Sequence, residues 1–311
     1  MSRSTYEMQP LACDPARLSG LSERLIRSHY DNNYGGAVKR LNSIRAHLAQ
    51  LDWSATPNFS INGLKREELI AANSAFLHEL YFDALGSKGE LRPGGLSVAM
   101  GRDFGSFERW QQEFIALAKA MGGGSGWAVL SWSSRENRLL NCWGADHTHG
   151  LSAATPLLAL DMYEHAYHLD YGADAAAYVT AFMRNVDWEK VNARYSAAVA
   201  RDAVDFATSG KDVHDRKAEL LLLDVRRAGA FQAAPEMIAG ASWRDPERVE
   251  EWAAALPRAQ PVVVYCVYGH EVGQSTAAIL RSKGIDAKYL VGGIQGWKAA
   301  GLPMERKAPS T

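Results

Sequence analysis

One aspartate and three histidines have the residue types that could hold a metal ion. Asp161 and His165 are four residues apart, so one turn of helix or a tight turn can aim a carboxylate and an imidazole at one point. His29 and His78 each lie among apolar residues in stretches with helical spacing. Taken alone, each histidine equally fits a hydrogen-bonded core residue, so the four indicate a metal site only if they converge.

A second chemical feature is Cys266, which follows the apolar run Val262–Tyr265 and precedes a segment with helical spacing. A thiol at a strand-to-helix turn lies among backbone N–H groups and the positive end of a helix dipole. Both favour a thiolate and an anionic substrate. Cys266 is therefore a candidate nucleophile, and the alternative is a small core residue.

The elements that must position the first group are helices followed by a small sheet. Apolar residues recur with helical spacing and then with strand-like spacing. The predicted helices cover 19–51, 66–86, 105–121, 174–185 and 188–208, and the predicted strands cover 127–132, 139–143 and 156–161. Asn32–Gly36 interrupts the first helix, which predicts either one bent helix or two. We therefore expect an α+β domain over residues 1–205.

Short apolar strands alternate with helices beyond residue 210. The predicted strands are 220–225, 261–266 and 287–291, and the predicted helices are 246–255 and 273–283. Continuous apolar strands that alternate with helices are typical of a parallel sheet covered on both faces. Residues 212–311 are therefore predicted to form a separate α/β domain.

Composition narrows the function classes. The chain has 311 residues, with 34 Lys and Arg against 35 Asp and Glu, so broad attraction to nucleic acid or anionic lipid is not expected. Its apolar runs are too short to span a bilayer, and its beginning has no basic segment followed by an apolar run. The three cysteines are far apart, which favours a reduced compartment, and we expect a cytoplasmic protein.

Separated motifs over residues 15–198 resemble the iron/manganese superoxide dismutase family. They are Val38-Lys39-Arg40-Leu41-Asn42, Phe104-Gly105-Ser106, Gly124-Ser125-Gly126-Trp127, Ala154-Thr155-Pro156-Leu157-Leu158, Asp161-x-x-x-His165-Ala166-Tyr167 and Asn185-Val186-Asp187-Trp188. The resemblance implies one iron or manganese ion per chain, held by His29, His78, Asp161 and His165 with a water or hydroxide as fifth ligand. It implies superoxide as substrate. Neutral imidazoles with a carboxylate suit both oxidation states of these metals.

The surroundings of the implied metal depart from the family pattern. Where family members carry a gateway histidine and tyrosine after the first ligand, ungapped counting finds Asn33 and Ala37, and Tyr34 is the candidate replacement. The usual tyrosine after Tyr167 is His168, which would pair with Asn33 or belong to a dimer interface.

The group that orients the solvent ligand is also altered. The helix position that holds a glutamine in some members is Ser74, which is too short. Ungapped counting on the sheet finds Asp146, but His147 is the better chemical match, followed by His149. Trp127 and Tyr163 would form walls of the site or belong to the core.

Glu164 beside His165 resembles the family's pair in which the glutamate of one protomer hydrogen-bonds the ligand histidine of the other. The resemblance implies a homodimer through this region.

Residues 215–305 resemble the rhodanese sulfurtransferase family. The likeness rests on Leu222-Leu223-Asp224-Val225-Arg226, the Cys266-x-x-Gly269 loop and Gly292-Gly293-Ile294-x-Gly296-Trp297. It implies a small sulfur-containing substrate, with Cys266 as the sulfur acceptor. Active loops often continue to an arginine that holds an anionic donor, but position 271 is a glutamate, so weak transfer from thiosulfate is expected.

The leading hypothesis is a superoxide dismutase with an appended rhodanese-like domain. The second is a sulfurtransferase or a persulfide or redox sensor whose metal domain serves as a dimerisation platform. A third is a metal oxidoreductase that acts on a larger substrate through the altered gateway.

Overall fold

The structure, a computed structural model, describes residues 5–307, and the chain divides into two compact units. The first unit comprises Met1–Leu91, Gln111–Ser131 and Leu140–Val191. The second comprises Arg92–Trp110, Trp132–Leu139 and Asn192–Thr311.

The first predicted helix is one helical path with a wider turn in its middle. α1 (Glu23–Ser28) leads into a π-helical turn (His29–Tyr34) and then into α2 (Gly35–Ala49). The hydroxyl of Ser22 accepts a hydrogen bond from the N–H of Leu25 and caps α1. The interruption predicted at Asn32–Gly36 is therefore a change of helical pitch within a continuous path. π-helical turns are frequent at functional sites.

α3 (Asn58–Asp83) begins eight residues before the predicted start at residue 66. Its first turns contain Asn58, Ser60 and Gly63, which are weak helix formers, so local preference did not indicate a helix there. Tertiary packing outweighs that preference, and further along the helix Ala71 packs with Leu41 of α2.

The helix predicted over 105–121 is present as α5 (Phe107–Ala120), but a separate helix precedes it. Gly105 has a left-handed backbone with φ 89°, which ends α4 (Gly95–Phe104) before α5 (Phe107–Ala120) begins. The sequence prediction missed α4 altogether.

The predicted small antiparallel sheet is confirmed, with strand order β2-β1-β3. Its strands are β1 (Trp127–Ser133), β2 (Arg138–Gly144) and β3 (Ala154–Asp161), and all seven residues of β1 are buried. The helices that follow are α6 (His168–Tyr171), α7 (Ala175–Arg184) and α8 (Trp188–Asp202). α8 ends six residues before the predicted end at residue 208.

The second sheet has five parallel strands in the order β4-β9-β8-β5-β7. The strands are β4 (Ala207–Thr208), β5 (Leu221–Asp224), β7 (Ser242–Trp243), β8 (Val262–Tyr265) and β9 (Ala287–Leu290). Val262 and Val264 face one apolar cluster, and Val263 and Tyr265 face another. Because side chains alternate along a strand, this sheet is covered on both faces, as predicted.

Short elements surround this sheet. The helices are α9 (Gly210–Asp215), α10 (Ala228–Ala233), α11 (Val249–Trp252), α12 (Glu271–Ser282) and α13 (Gly293–Ala299). β6 (Glu236–Ile238) and β10 (Met304–Arg306) form a separate antiparallel pair. The stretch predicted as a helix over 246–255 is helical throughout, but only α11 is α-helical, because 3-10 turns at Pro246–Arg248 and Ala253–Ala255 flank it.

None of the helices in residues 5–307 combines the length and apolar character that crossing a membrane requires.

Candidate metal centre and cysteine loop

The four predicted ligands come together from four different elements. His29 begins the π-helical turn, His78 lies in α3, Asp161 ends β3 and His165 lies in the 3-10 turn that follows. Their ligand atoms all lie within 4.8 Å of one another. The tight turn expected between Asp161 and His165 is this 3-10 turn.

One carboxylate oxygen stands at the middle of the group. Asp161 Oδ2 lies 3.1 Å from His29 Nε2, 3.1 Å from His165 Nε2 and 3.4 Å from His78 Nε2. The other oxygen, Oδ1, accepts a hydrogen bond of 2.8 Å from the N–H of Tyr163. His29, His78 and Asp161 are buried, while the side chain of His165 is 28 % exposed.

The protonation of His78 fits a metal ligand. Its Nδ1 lies 2.6 Å from the backbone oxygen of Ser74, so Nδ1 carries the proton and Nε2 keeps its lone pair. Nε2 is buried and, among the described residues, has no hydrogen-bond partner. Burial lowers the pKa of His78 to about 3 and also lowers that of His29. Neutral imidazoles are the form that binds metal ions.

Asp161 is held as a carboxylate. Burial raises its pKa, but hydrogen bonds with His165 and His29 outweigh burial and keep the pKa well below its usual range. The hydroxyl of Tyr178 donates to the backbone oxygen of Asp161 at 2.8 Å. Three neutral imidazoles and one carboxylate form a donor set that suits iron or manganese.

His147 lies beside this cluster, whereas His149 does not join it. The ring of His147 is 6.4 Å from that of His78, and its Nδ1 accepts a hydrogen bond of 2.9 Å from Trp127 Nε1. The proton of a neutral His147 is therefore on Nε2. His149 instead stacks on the exposed ring of Trp143 at 5.6 Å. The carboxylate of Asp146 accepts from Thr148.

Aromatic rings line the same region. Tyr163 stacks between His147 and His165, with ring centroids 4.9 and 5.4 Å away and interplanar angles of 11° and 13°. Burial raises the pKa of Tyr163 to about 12, so its hydroxyl stays protonated. Trp127 meets His78 edge-on at 5.2 Å.

Tyr34 is buried against the second histidine and is tied to a carboxylate. Its ring stacks on His78 at 6.4 Å, and its hydroxyl donates to Glu79 Oε1 at 2.7 Å and accepts from the N–H of Gln9 at 2.7 Å. Sequence reasoning missed Glu79, because nothing in a single sequence links residues 45 positions apart. Ala37 is buried and Asn33 is half-buried.

The cysteine loop is organised by backbone amides. Cys266 is buried, and the N–H groups of Gly273, Gly269, Tyr268 and His270 face its sulfur. Burial raises the pKa of the thiol, and these amides lower it only in part. An added Cβ on Gly273 would lie 3.5 Å from the sulfur, in ordinary van der Waals contact with it.

Asp224 and Arg226, two residues of the motif that resembles the rhodanese family, form a buried ion pair. Arg226 Nε lies 2.9 Å from both oxygens of Asp224, and Tyr265 donates to Asp224 Oδ2 at 3.0 Å. These contacts join β5 to β8, the strand that leads into Cys266.

Two family models match parts of this chain. The model of the C-terminal domain of iron/manganese superoxide dismutases matches residues 92–194, and the rhodanese-like domain matches residues 209–300. A superoxide dismutase (Fe) of Cupriavidus metallidurans is 63 % identical over 194 residues, which is 62 % of this chain and 98 % of the relative.

This chain belongs to the iron/manganese superoxide dismutase family. More distant relatives include a superoxide dismutase (Mn) of Haloferax volcanii, 36 % identical over 63 % of this chain and 98 % of the relative. A superoxide dismutase (Fe) of Aquifex aeolicus is 33 % identical over 60 % of this chain and 89 % of the relative. Compared with these relatives, this member of the dismutase family carries an appended rhodanese-like domain.

Within this dismutase, the segment beside the third ligand histidine, His165, reaches the surface. Glu164 and His168 are exposed, and His165 between them is half-buried.

Proposed function

We propose that this protein is a superoxide dismutase that binds one iron or manganese ion per chain through His29, His78, Asp161 and His165. The observation that carries the proposal is the convergence of four donor atoms within 4.8 Å in a buried place, in a chain of this family. The buried Nε2 of His78, which has no hydrogen-bond partner within residues 5–307, supports it, because a bound cation would satisfy that lone pair.

When bound, the ion supplies one-electron redox chemistry, by which two superoxide ions and two protons become dioxygen and hydrogen peroxide. The three imidazoles and Asp161 fix its coordination. The residues around them hold the ligands in place, since Ser74 orients the ring of His78 and Tyr163 N–H orients the carboxylate.

We assign the solvent-orienting role to His147 rather than His149. Trp127 fixes the tautomer of His147, so that Nε2–H is a donor beside the cluster. Tyr34 is the candidate substitute for the gateway tyrosine, and its hydroxyl is anchored by Glu79. Because Ala37 leaves the usual place without a hydroxyl, Tyr34 supplies the aromatic surface next to His78.

We also propose that the protein is a cytoplasmic homodimer. The support for the dimer is the exposed Glu164 next to His165 in the single chain, where a partner's imidazole would find an acceptor. The support for the cytoplasm is the count of three separated cysteines, none of them in a disulfide.

The test is reconstitution of purified full-length protein with iron alone or manganese alone, followed by elemental analysis and measurement of superoxide decay. We expect one ion per chain and metal-dependent dismutation that H165A removes. The matched control is H47A, because His47 is exposed on α2 and lies outside the cluster. Loaded wild-type protein that dismutes superoxide no faster than the free metal would disprove the activity.

A second candidate function lies at Cys266, favoured by the backbone amides around its sulfur. The Cys266 thiolate would attack a sulfane sulfur, a Cys266 S–S bond would form, and the donor would leave with the electron pair of the broken bond. The persulfide would then pass its outer sulfur to an acceptor thiol or cyanide. We expect C266S to lose persulfide detected by mass spectrometry, with dismutation unchanged.

A further inference from the structure

Glutamate side chains from the rhodanese-like part of the chain occupy the space beside two glycines of α4. All of these residues belong to the second compact unit. A Cβ added to Gly95 would lie 1.9 Å from Glu271 Cγ and 2.4 Å from its Oε1. A Cβ added to Gly101 would lie 2.8 Å from Glu247 Oε2. α4 itself belongs to the segment that matches the dismutase family.

We propose that Glu271 is a docking residue. Its side chain occupies the space beside Gly95 and so attaches the first turn of α12, the helix that follows the cysteine loop, to α4. The partner of this surface is therefore a segment of the same chain. The proposal does not depend on the activity of either site.

The two contacts differ in how much room they leave. At Gly95, the atom in the way is Cγ, which is close to the Glu271 backbone, so the whole side chain would have to rotate to admit a methyl group. At Gly101, only the flexible end of Glu247 is in the way, and a small shift relieves it. Gly95 should therefore be the stricter requirement.

The position of Gly95 also suits a carboxylate. Gly95 is the first residue of α4, where the helix dipole favours negative charge. The N–H of Leu96 is already taken by Asn192 Oδ1 at 3.0 Å. Further along α12, Ser275 faces the buried hydroxyl of Tyr195 in α8, so α12 contacts α8 as well as α4.

Docking gives a physical reason for the glutamate at position 271. Active loops that resemble this one often place an arginine there to hold an anionic donor. Here the side chain is committed to Gly95 and α4, so its role is attachment rather than donor binding.

The decisive experiment is a double-mutant cycle in the full-length protein, with G95A, E271A and the pair compared by thermal unfolding. We expect G95A to lower the unfolding midpoint by about 2–6 °C in the wild-type background. In the E271A background the same change should cost nothing or stabilise, because the obstructing side chain is gone and alanine favours helix. If G95A does not fold, recovery of folding in G95A/E271A supports docking.

The matched control is G229A in α10, where an added Cβ has nothing within 4 Å, so its effect should be the same with and without E271A. Hydrogen exchange adds a local measurement: E271A should speed exchange in residues 95–99 and 271–275 together. A cost of G95A that is equal in both backgrounds, or absent in the wild type, would overturn the proposal.

Discussion

The candidate metal centre takes its donors from four elements between residues 29 and 165, whereas the cysteine loop takes its N–H donors from residues 268–273. The first site consists of side chains brought together by the fold. The second consists of backbone groups that follow one another along the chain around a single thiol.

This difference determines how each site responds to mutation. A substitution at the metal centre removes a donor outright, and the neighbouring imidazoles stay buried without their partner. A substitution in the loop leaves every amide in place unless it changes the backbone path or the thiol itself. We therefore expect the largest losses at the metal centre and smaller, more local effects elsewhere.

The largest expected effect comes from D161N. The central carboxylate faces all three imidazoles, and an amide cannot supply its negative charge. Removing ligand-orienting partners typically costs 10–100-fold in metal affinity or activity, so loss of a ligand should exceed about 100-fold. The measurement is metal content by elemental analysis together with superoxide decay.

D170N is the matched control for that change. Asp170 is exposed and accepts hydrogen bonds from Ser22, away from the four ligands. It should keep its metal. If D161N retained metal and activity like D170N, the assignment of the centre would be wrong.

H147A comes next and separates the two histidines that the sequence left open. We expect dismutation to fall by about 10–100-fold with metal retained, because His147 supports the site without being one of the four ligands. H149A should behave like wild type, since His149 stacks on Trp143. Metal content and activity of the two variants are to be compared, and a larger loss in H149A would reverse the assignment.

At the metal centre, some features could be predicted from a single sequence and others could not. The resemblance of several separated motifs to the dismutase family was enough to predict four residues that the fold brings together. The spacing of Asp161 and His165 and the two helix-borne histidines did not establish the site by themselves. The choice between His147 and His149 was not available from spacing, because it depends on which ring reaches the indole of Trp127. The link from Tyr34 to Glu79 likewise exists only once α3 packs beside the π-helical turn.

The fold likewise has features that local sequence predicts and features that depend on tertiary contacts. The buried strands of both sheets were predicted within one or two residues, because continuous apolar runs are a strong local signal. The start of α3 and all of α4 were missed, since Asn58, Ser60 and Gly95 have weak helix preference and are helical through their tertiary contacts. The two-residue strands β4 and β7 are too short to leave a pattern.

At the cysteine loop, the expected effect is on reactivity. Since burial raises the pKa of Cys266 more than the amides lower it, the thiol is protonated at neutral pH. Alkylation by iodoacetamide should be several-fold slower at pH 7 than that of a free cysteine, and should rise as pH rises towards the raised pKa. Mass spectrometry of the Cys266 peptide from pH 6 to pH 10 measures this. A rate that is already maximal at pH 7 would show a lowered pKa instead and would make this site resemble an activated nucleophile.

The smallest effect is expected from Y34F, which removes one hydroxyl and leaves the ring on His78. The carboxylate of Glu79 still accepts from Tyr6 at 2.8 Å, but the N–H of Gln9 loses its acceptor. Y34F therefore loses two hydrogen bonds, one to Glu79 and one from Gln9. At about 1 kcal/mol each, they correspond to a fall of about 1–2 kcal/mol in the free energy of unfolding, measurable by urea denaturation. Y30F is the control, because its hydroxyl donates only to the backbone of Gln9 at an exposed position. If Tyr34 acts only through its ring, dismutation stays within a few-fold of wild type in both variants. A much larger loss in Y34F alone would show that the hydroxyl of Tyr34 takes part in the reaction, in addition to the four ligands and His147.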